Sequence, residues 1–325
     1  MGYNIFMKYL FLALLLMNFV SYDLYANDAW VEAAGGSYRI MGEKNANIQM
    51  IREEIEINMY NDYYEMRIFF VFRNSGDDVI LNVGFPEYSY GTQTIAEFSN
   101  FRSSINDNWV TVEKVNNDYN NNSWIKINSW YVKQVEFRAN SIVTSIVEYR
   151  AQYANSGPFN SVQYLYGTGG TWKDTIGEIK IQIKNHTDYW IRSFYSGITS
   201  SIKINNRDNI ILIEALNVTP ENYDTFSVTF GSEPLFMNYL DSSFVLNREI
   251  IKPENLILLT HEQLRLLRNS IYANHGYIFR SQDLIEYFDR FRLHKSNASF
   301  SENEFSEIER ANLENIINQE NRRKK

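Results

Sequence analysis

The sequence contains no cysteine, which excludes disulfides, thiolate catalysis, cysteine-ligated zinc and a lipid-anchored cysteine. It has only four histidines, and none has the His-x-x-x-His or His-Glu-x-x-His spacing of zinc hydrolases. Basic residues are in deficit, with 31 Lys and Arg against 39 Asp and Glu, whereas nucleic-acid binding depends on clustered positive charge. These absences predict no metal site, no cofactor and no nucleic-acid partner.

Long apolar runs are also scarce, and the only candidate lies at the N-terminus. Lys8 precedes the apolar run 9–20, which is shorter than the ~20 residues of a membrane-spanning helix. A positive residue, a short apolar run and Ala26 at a plausible cleavage point predict a signal peptide over residues 1–26. An uncleaved anchor is the alternative, and Met7 is an alternative start. We therefore expect an exported chain, periplasmic or extracellular, that is not an integral membrane protein after cleavage.

Between residues 51 and 230 the apolar residues recur with a period near two. Ile55, Ile57 and Met59 alternate with polar residues, and residues 179–183 repeat the pattern. Asn- and Gly-rich turns separate these segments, and the asparagine-rich stretch 116–123 is typical of a hairpin tip. Many short strands joined by polar turns predict an antiparallel β-sandwich.

After Pro253 the period becomes helical. Thr260 and Gln263 have the spacing of a capping box, and Leu264, Leu267 and Ile271 then follow on one helix face. Gly276 is placed to end that helix. Ser281 is placed to begin a second helix, and a second capping box at residues 301–304 to open a third. The sequence thus predicts an all-β domain followed by a small all-α domain of three helices.

Charge supports the same division. Residues 27–247 carry 17 Lys and Arg against 26 Asp and Glu, whereas residues 248–325 carry 13 against 12. We predict a β-sandwich domain over 27–247 and a helical domain over 248–325. Because 65 residues of helix bury only a small core, we expect the helical domain to dock on the sandwich or to be held by tight helix packing.

The helical segment contains the motif Tyr272-Ala273-Asn274-His275-Gly276. With its flanking residues, it resembles the YARHG domain of exported bacterial proteins over about residues 256–320. Asn274 replaces the Arg of that motif, and Leu293-His294 stand where Trp-Tyr is expected. The resemblance implies placement outside the cytoplasm and a small helical module of undetermined activity.

The β-rich segment has a second set of short motifs: Ala33-Ala-Gly-Gly36, Phe72-Arg-Asn-Ser75, Phe85-Pro86, Trp130-x-x-Lys133-x-Val-x-Phe137 and Tyr166-Gly-Thr-Gly-Gly-Thr-Trp172. Over residues 27–235 these resemble an exported bacterial family known as domain of unknown function 4424. That resemblance implies no activity.

The candidate binding residues lie on the first predicted helix. At 100° per residue, Arg268, Tyr272 and His275 share one face, with Asn269 beside them. Arg could anchor a carboxylate, Tyr could stack on or hydrogen-bond a ligand, and His could donate. The alternative is structural, with Tyr272 and His275 packed in the core and Arg268 paired to an acid. No catalytic or metal-ligating residue is predicted.

Other sequence patterns favour a structural role over a ligand-binding role. The glycine-rich stretch 167–171 precedes a predicted strand instead of a helix, so we expect a turn or bulge instead of a phosphate loop. The Asn/Asp run 116–120 lacks the downstream Glu of a calcium loop. With 23 tyrosines and 6 tryptophans, the surface could present aromatics to a glycan or protein.

Three functions remain open from sequence. The favoured one is a non-catalytic binding or scaffold protein of the cell envelope, whose partner is an envelope glycan or protein. The second is a cell-envelope hydrolase of glycan or peptidoglycan, whose carboxylates converge only in the fold. The third is an assembly subunit that offers a free β-edge to a partner strand.

Overall fold

The computed structural model describes residues 28–34, 37–41, 44–90, 97–117, 125–156, 158–198, 203–207, 210–221, 224–238, 240–293 and 296–323. The predicted signal peptide, most of the asparagine-rich stretch and His294 lie outside these residues. No helix within the described ranges is long and apolar enough to span a membrane.

Strands occupy most of the chain up to residue 231. Within the described residues they are β1 Ala29–Ala34, β2 Ser37–Ile40, β3 Ile48–Met59, β4 Tyr63–Asn74, β5 Val79–Tyr90, β6 Ser99–Ile105, β7 Asn108–Val110, β8 Glu113–Asn116, β9 Ile125–Phe137, β10 Ile142–Gln152, β11 Ala154–Ser156, β12 Phe159–Leu165, β13 Ile176–Asn185, β14 Trp190–Ser196, β15 Lys203–Arg207, β16 Ile210–Val218 and β17 Thr225–Gly231.

The strands form three sheets. Sheet I has the order β2-β1-β5-β9-β8, sheet II the order β15-β16-β13-β3-β4-β10-β6-β7, and sheet III the order β11-β12-β17-β14. The predicted sandwich-like β region is confirmed. Among the described strand pairs all are antiparallel except β3 and β13, which run parallel with Ile55 opposite Ile181. Periodicity alone does not reveal which strands pair, so this exception was not predicted.

Alternation along the strands builds the main core. The predicted inward residues Ile55, Ile57 and Met59 are buried, as are Ile179, Ile181 and Ile183 of β13. Aromatic rings fill much of this core, and Phe72 packs against Trp172 with their centroids 4.9 Å apart. Since strand side chains point to alternate faces, the same strands expose a second, polar face.

That outer face of sheet II carries paired charges. The carboxylate of Glu148 on β10 lies 3.2 Å from Arg67 of β4 and 2.5 Å from Arg102 of β6. The Arg102 guanidinium also stacks over Trp109, 4.4 Å from the ring centroid. Opposite charges alternate across neighbouring strands, which is the arrangement expected of a solvent-facing sheet surface.

Four helices follow the sheets, where three were predicted. They are α1 Pro253–Ile257, α2 His261–Asn274, α3 Gln282–Asp289 and α4 Glu307–Arg323. The added helix α1 is a five-residue segment that begins at Pro253, a residue suited to the first helical position. The capping box at Ser301 opens a short 3-10 turn, residues 302–304, and α4 begins only at Glu307.

The helices share a second hydrophobic core with the segment that precedes them. Leu264, Leu267 and Ile271 of α2 are fully buried there, together with Phe236 and Leu246. One residue of sheet III, Trp190 on β14, belongs to this core.

Hydrogen bonds also join the helical region to the sheets. The side chain of Gln263 donates to the carbonyl of Tyr189 at 3.0 Å, and Asn206 donates to the carbonyl of Leu259 at 3.1 Å. These contacts agree with the expectation that the small helical region docks on the β region. The predicted boundary between residues 247 and 248 remains a prediction.

Candidate functional site

The predicted binding residues are carried by α2, whose start is fixed as the sequence indicates. The Thr260 hydroxyl accepts from the Gln263 N–H at 3.0 Å, and the Gln263 side chain accepts from the Thr260 N–H at 3.0 Å. The helix buries its leucine face in the second core. Arg268, Tyr272 and His275 therefore lie at the margin of that face, where polar and aromatic groups meet solvent.

The end of α2 is a tight left-handed turn. Gly276 has φ of 78°, and its N–H donates to the carbonyl of Ala273 at 3.0 Å. The N–H of Tyr277 donates to the carbonyl of Tyr272, also at 3.0 Å. This pair of bonds is a Schellman motif, in which glycine is favoured because it adopts positive φ without strain. The turn places His275 and Tyr277 on either side of Gly276.

Arg268 and Asn269 both have partners within the chain. The Arg268 guanidinium lies 3.2 Å from the carboxylate of Glu320 on α4, and the Glu320 side chain is only 7% exposed. The Asn269 amide donates to the carbonyl of Arg265, one turn earlier on the same helix, at 2.8 Å. Arg268 thus ties α2 to α4, and Asn269 bonds within its own helix.

His275 is held by a buried acid. Its Nε2 lies 2.9 Å from Oε1 of Glu309, and its Nδ1 lies 4.0 Å from Glu304. The other Glu309 oxygen accepts from the N–H of Ser306 at 2.8 Å, and the Ser306 hydroxyl accepts from the Glu309 N–H at 3.2 Å. Glu309 therefore caps the start of α4 and fastens the end of α2 to it.

Tyr272 makes both polar and aromatic contacts. Its hydroxyl donates to Glu302 at 3.1 Å. Burial, together with that carboxylate, raises the pKa of Tyr272 above its ordinary value. Its ring packs on Phe305 with the centroids 5.2 Å apart, and the His275 ring packs on the same phenylalanine at 5.1 Å. Tyr272 and His275 are thus brought together around Phe305.

Arg268, Tyr272 and His275 therefore each contact the carboxylate of a glutamate in the segment 302–320. Glu320 faces Arg268, Glu302 faces Tyr272, and Glu309 faces His275. Sequence spacing on α2 placed these side chains on one face, but it did not identify their acidic partners. The binding role of Arg268 and its neighbours stays a prediction.

A second polar cluster lies inside the β region. The Lys133 ammonium on β9 lies 2.8 Å from the carboxylate of Asp28, 2.8 Å from the Ser103 hydroxyl and 2.8 Å from the Ser145 hydroxyl. Ser145 also donates to Asp28 at 2.7 Å. All four side chains are buried. Burial lowers the pKa of Lys133, and the adjacent carboxylate of Asp28 opposes that shift.

Hydrogen bonds of this cluster connect strands of different sheets. Lys133 belongs to sheet I, whereas Ser103 on β6 and Ser145 on β10 belong to sheet II. A lysine among serines resembles a nucleophile and its base. Here the groups are enclosed between the sheets, and each hydroxyl is held by Lys133, so the arrangement serves packing. Sequence reasoning named Lys133 only within a family motif and did not find its buried partners.

Residues from three of the motifs quoted for the β region lie together near this cluster. The Trp172 indole donates to the carbonyl of Asp28 at 2.6 Å, and its ring packs on Phe72 and Phe137. Asn74 is buried, and its amide donates to the carbonyl of Phe137 at 3.1 Å. These residues form one core region. The resemblance to domain of unknown function 4424 remains a prediction.

The glycine-rich segment is a 3-10 turn over Gly167–Thr171, followed by the strand β13. This agrees with the expected structural turn. The predicted turn 116–123, where calcium binding was weighed, lies mostly outside the described residues. Across the described part of the chain, no three acidic or histidine side chains are arranged to hold a metal ion.

Comparison with known proteins identifies one part of the chain. Residues 244–321 match the family model of the YARHG domain, which confirms the resemblance read from the Tyr-Ala-Asn-His-Gly motif and extends it toward the N-terminus. No protein of curated function matches the sequence.

Among solved structures, the fold is similar to a candidate nutrient-binding protein from Legionella pneumophila, with a TM-score of 0.51, 21% identity, and coverage of 85% of this chain and 95% of that one. Two enzymes match with less similarity. An M1 zinc metallopeptidase from Deinococcus radiodurans has a TM-score of 0.31 and 6% identity, with coverage of 57% of this chain and 42% of that one. Yeast LTA4 hydrolase in complex with Bestatin has a TM-score of 0.35 and 10% identity, with coverage of 56% and 28%.

Proposed function

We propose that this chain is an exported, non-catalytic binding protein of the bacterial cell envelope. The β region serves as the scaffold, and the helical region recognises an envelope glycan or protein. The observation that carries this proposal is the exposed surface at the end of α2, where Tyr277 and Ile278 reach solvent beside the face of Tyr272 and Arg268. Exposed aromatic and apolar side chains next to charged groups are typical of recognition surfaces.

Four further points support this proposal. YARHG domains are typical of exported proteins, and the N-terminal residues have the pattern of a signal peptide. The structurally similar Legionella protein is itself a candidate nutrient-binding protein. The buried pair of Asp28 and Lys133 is enclosed between the sheets, which suits a scaffold.

Binding can be tested by pull-down of the chain from residue 27 against purified envelope fractions. Both the β region and the helical region are kept because the helical core includes Trp190 of sheet III. We expect Arg268→Ala and Tyr272→Ala to reduce the material retained per folded molecule, with Tyr195→Ala, a solvent-exposed tyrosine of β14, as the control. A fall in melting temperature above about 5 °C with unchanged binding would show that these residues are structural.

Export can be tested separately by expressing the whole chain with a C-terminal tag. We expect the tag outside the cytoplasm, on a protein whose N-terminal residue is Asn27. Recovery of an intact leader on cytoplasmic protein would contradict export.

A further inference from the structure

The turn after α2 presents a small set of aromatic rings to solvent. Tyr277 is 39% exposed, and its ring centroid lies 5.6 Å from that of Tyr272 and 5.4 Å from that of Phe300. Both ring pairs are close to perpendicular. The N–H of Asn297 donates to the carbonyl of Gly276 at 2.8 Å, so the loop carrying Phe300 is bound to the same turn.

One carboxylate borders these rings. Glu302 is exposed, and one of its oxygens accepts from the Tyr272 hydroxyl at 3.1 Å. Within the described residues its second carboxylate oxygen has no side-chain donor. We call Tyr272, Tyr277, Phe300 and Glu302 the aromatic corner.

Two cations near these rings have partners elsewhere among the described residues. Arg268, one turn before Tyr272, pairs with Glu320 at 3.2 Å. Arg310 directs its guanidinium to backbone carbonyls, including that of Glu302 at 3.0 Å. Glu304 adds a second exposed carboxylate two residues from Glu302. The corner therefore offers negative charge beside partly exposed tyrosine rings.

This combination suits a primary ammonium group. A cation is attracted to the face of a tyrosine ring, and a carboxylate supplies the opposite charge. The exposed side chain of Ile278 adds apolar surface on which the methylene stem of a lysine can pack. At an exposed site each contribution is worth only about a factor of two to five in affinity, so a useful ligand carries several such groups.

We propose that the aromatic corner binds the ammonium groups of lysine side chains in an extended basic peptide segment of an envelope protein. This inference rests on the proposed function and names the chemistry of its ligand. The charge attraction is local to Glu302 and Glu304, because residues 248–325 carry 13 Lys and Arg against 12 Asp and Glu and the negative charge of the whole chain lies in the β region.

The probe is a pentalysine peptide, titrated into the isotopically labelled full chain by NMR at low ionic strength. We expect the amide signals of residues 272, 277 and 302 to shift, and binding to weaken steeply as salt is added. The same peptide acetylated on every Nε keeps its length but loses its charge, and it should produce no such shifts.

Matched variants separate the corner from general attraction between opposite charges. Glu302→Gln and Tyr277→Ala should each weaken pentalysine binding about two- to five-fold. Asp77→Asn removes one exposed charge at the β4–β5 turn, and Tyr195→Ala removes one exposed tyrosine of β14. Both controls should bind as the wild type does. Circular dichroism melting of each variant establishes that it is folded.

Equal losses in the controls would overturn the proposal, as would equal binding of the acetylated peptide. A chitotetraose titration that shifts the same signals and is insensitive to Glu302→Gln would instead assign the corner to a glycan. If envelope material is retained in the pull-down but pentalysine leaves the corner unchanged, the ammonium chemistry is wrong and the proposed function stands. If pentalysine binds and no envelope material is retained, the proposed function fails.

Discussion

The β region encloses one of its ion pairs between two sheets, whereas the helical region holds one of its ion pairs at the surface. In the β region, Lys133 and Asp28 lie 2.8 Å apart between two sheets, with side chains that are 2% and 0% exposed. In the helical region, Arg265 and Asp283 lie 2.7 Å apart at the surface, with side chains that are 27% and 59% exposed. Removing one partner of a buried pair leaves the other charge without water or a counter-charge. The same substitution is therefore expected to cost more stability at a buried pair than at an exposed one.

The largest expected effect comes from breaking the buried pair on one side. Asp28→Asn leaves the Lys133 ammonium without its counter-charge, and we expect a loss of about 3–5 kcal/mol in the free energy of unfolding. Chemical denaturation of the full chain measures this loss. The double variant Asp28→Leu with Lys133→Met removes both charges and should recover most of it. A loss below about 1 kcal/mol for the single variant would mean that the pair is not a closed, buried one.

An intermediate effect is expected at Glu309, which is buried like Asp28 but belongs to the helical region. Glu309→Ala removes the carboxylate half of the capping box of α4 and the partner of His275, while the Ser306 hydroxyl still caps the helix, so we expect a loss of about 2 kcal/mol. Glu307→Ala, in the same first turn but exposed, is the control and should stay within about 0.5 kcal/mol of the wild type. Equal losses in the two variants would show that helix propensity, and not the buried contact, sets the effect.

A smaller effect is expected at Arg268, whose side chain is 35% exposed. After allowance for solvent screening, Arg268→Ala should cost about 1 kcal/mol, which is a fall in melting temperature of about 2–4 °C. Arg268→Lys keeps the charge and should lose less. If Arg268→Ala melts as far below the wild type as Asp28→Asn does, the contrast between the two regions is wrong.

The smallest effect is the pH dependence of the exposed pair. Hydrogen bonds from Arg265 and Ser281 lower the pKa of Asp283 to about 2. Because the folded pKa lies below the unfolded one, the stabilisation is complete above about pH 4 and is lost as pH falls toward 2. NMR titration of the Asp283 carboxyl carbon measures this pKa, and Arg265→Ala should move it upward. An unchanged value in that variant would exclude Arg265 as the cause.

Local patterns predicted the local structure well. The alternation at Ile55, Ile57 and Met59 gave a strand with the expected buried face, because neighbouring side chains of a strand point to opposite sides. The capping box at Thr260 and the glycine at 276 marked the two ends of α2, because each satisfies backbone groups within a few residues. Each of these signals depends only on residues that are close together in the sequence.

Long-range partners were not predictable in the same way. Asp28 and Lys133 are 105 residues apart, and Arg268 meets an acid on another helix. Even the local signal at Ser301 was misread, since a second box at Ser306 and Glu309 begins α4. Spacing along one helix or strand shows which side chains share a face, but the opposing element is set by the fold.

The parallel pairing of β3 with β13 has a consequence for the order of folding. It joins Glu53 to Ile179, so the centre of sheet II stays incomplete until both strands are present. Contacts of such high sequence separation slow the search for the native state. A nascent chain with this topology should therefore stay unfolded for longer than one built of local hairpins. The central sheet is therefore expected to close late, after the chain up to residue 185 is available.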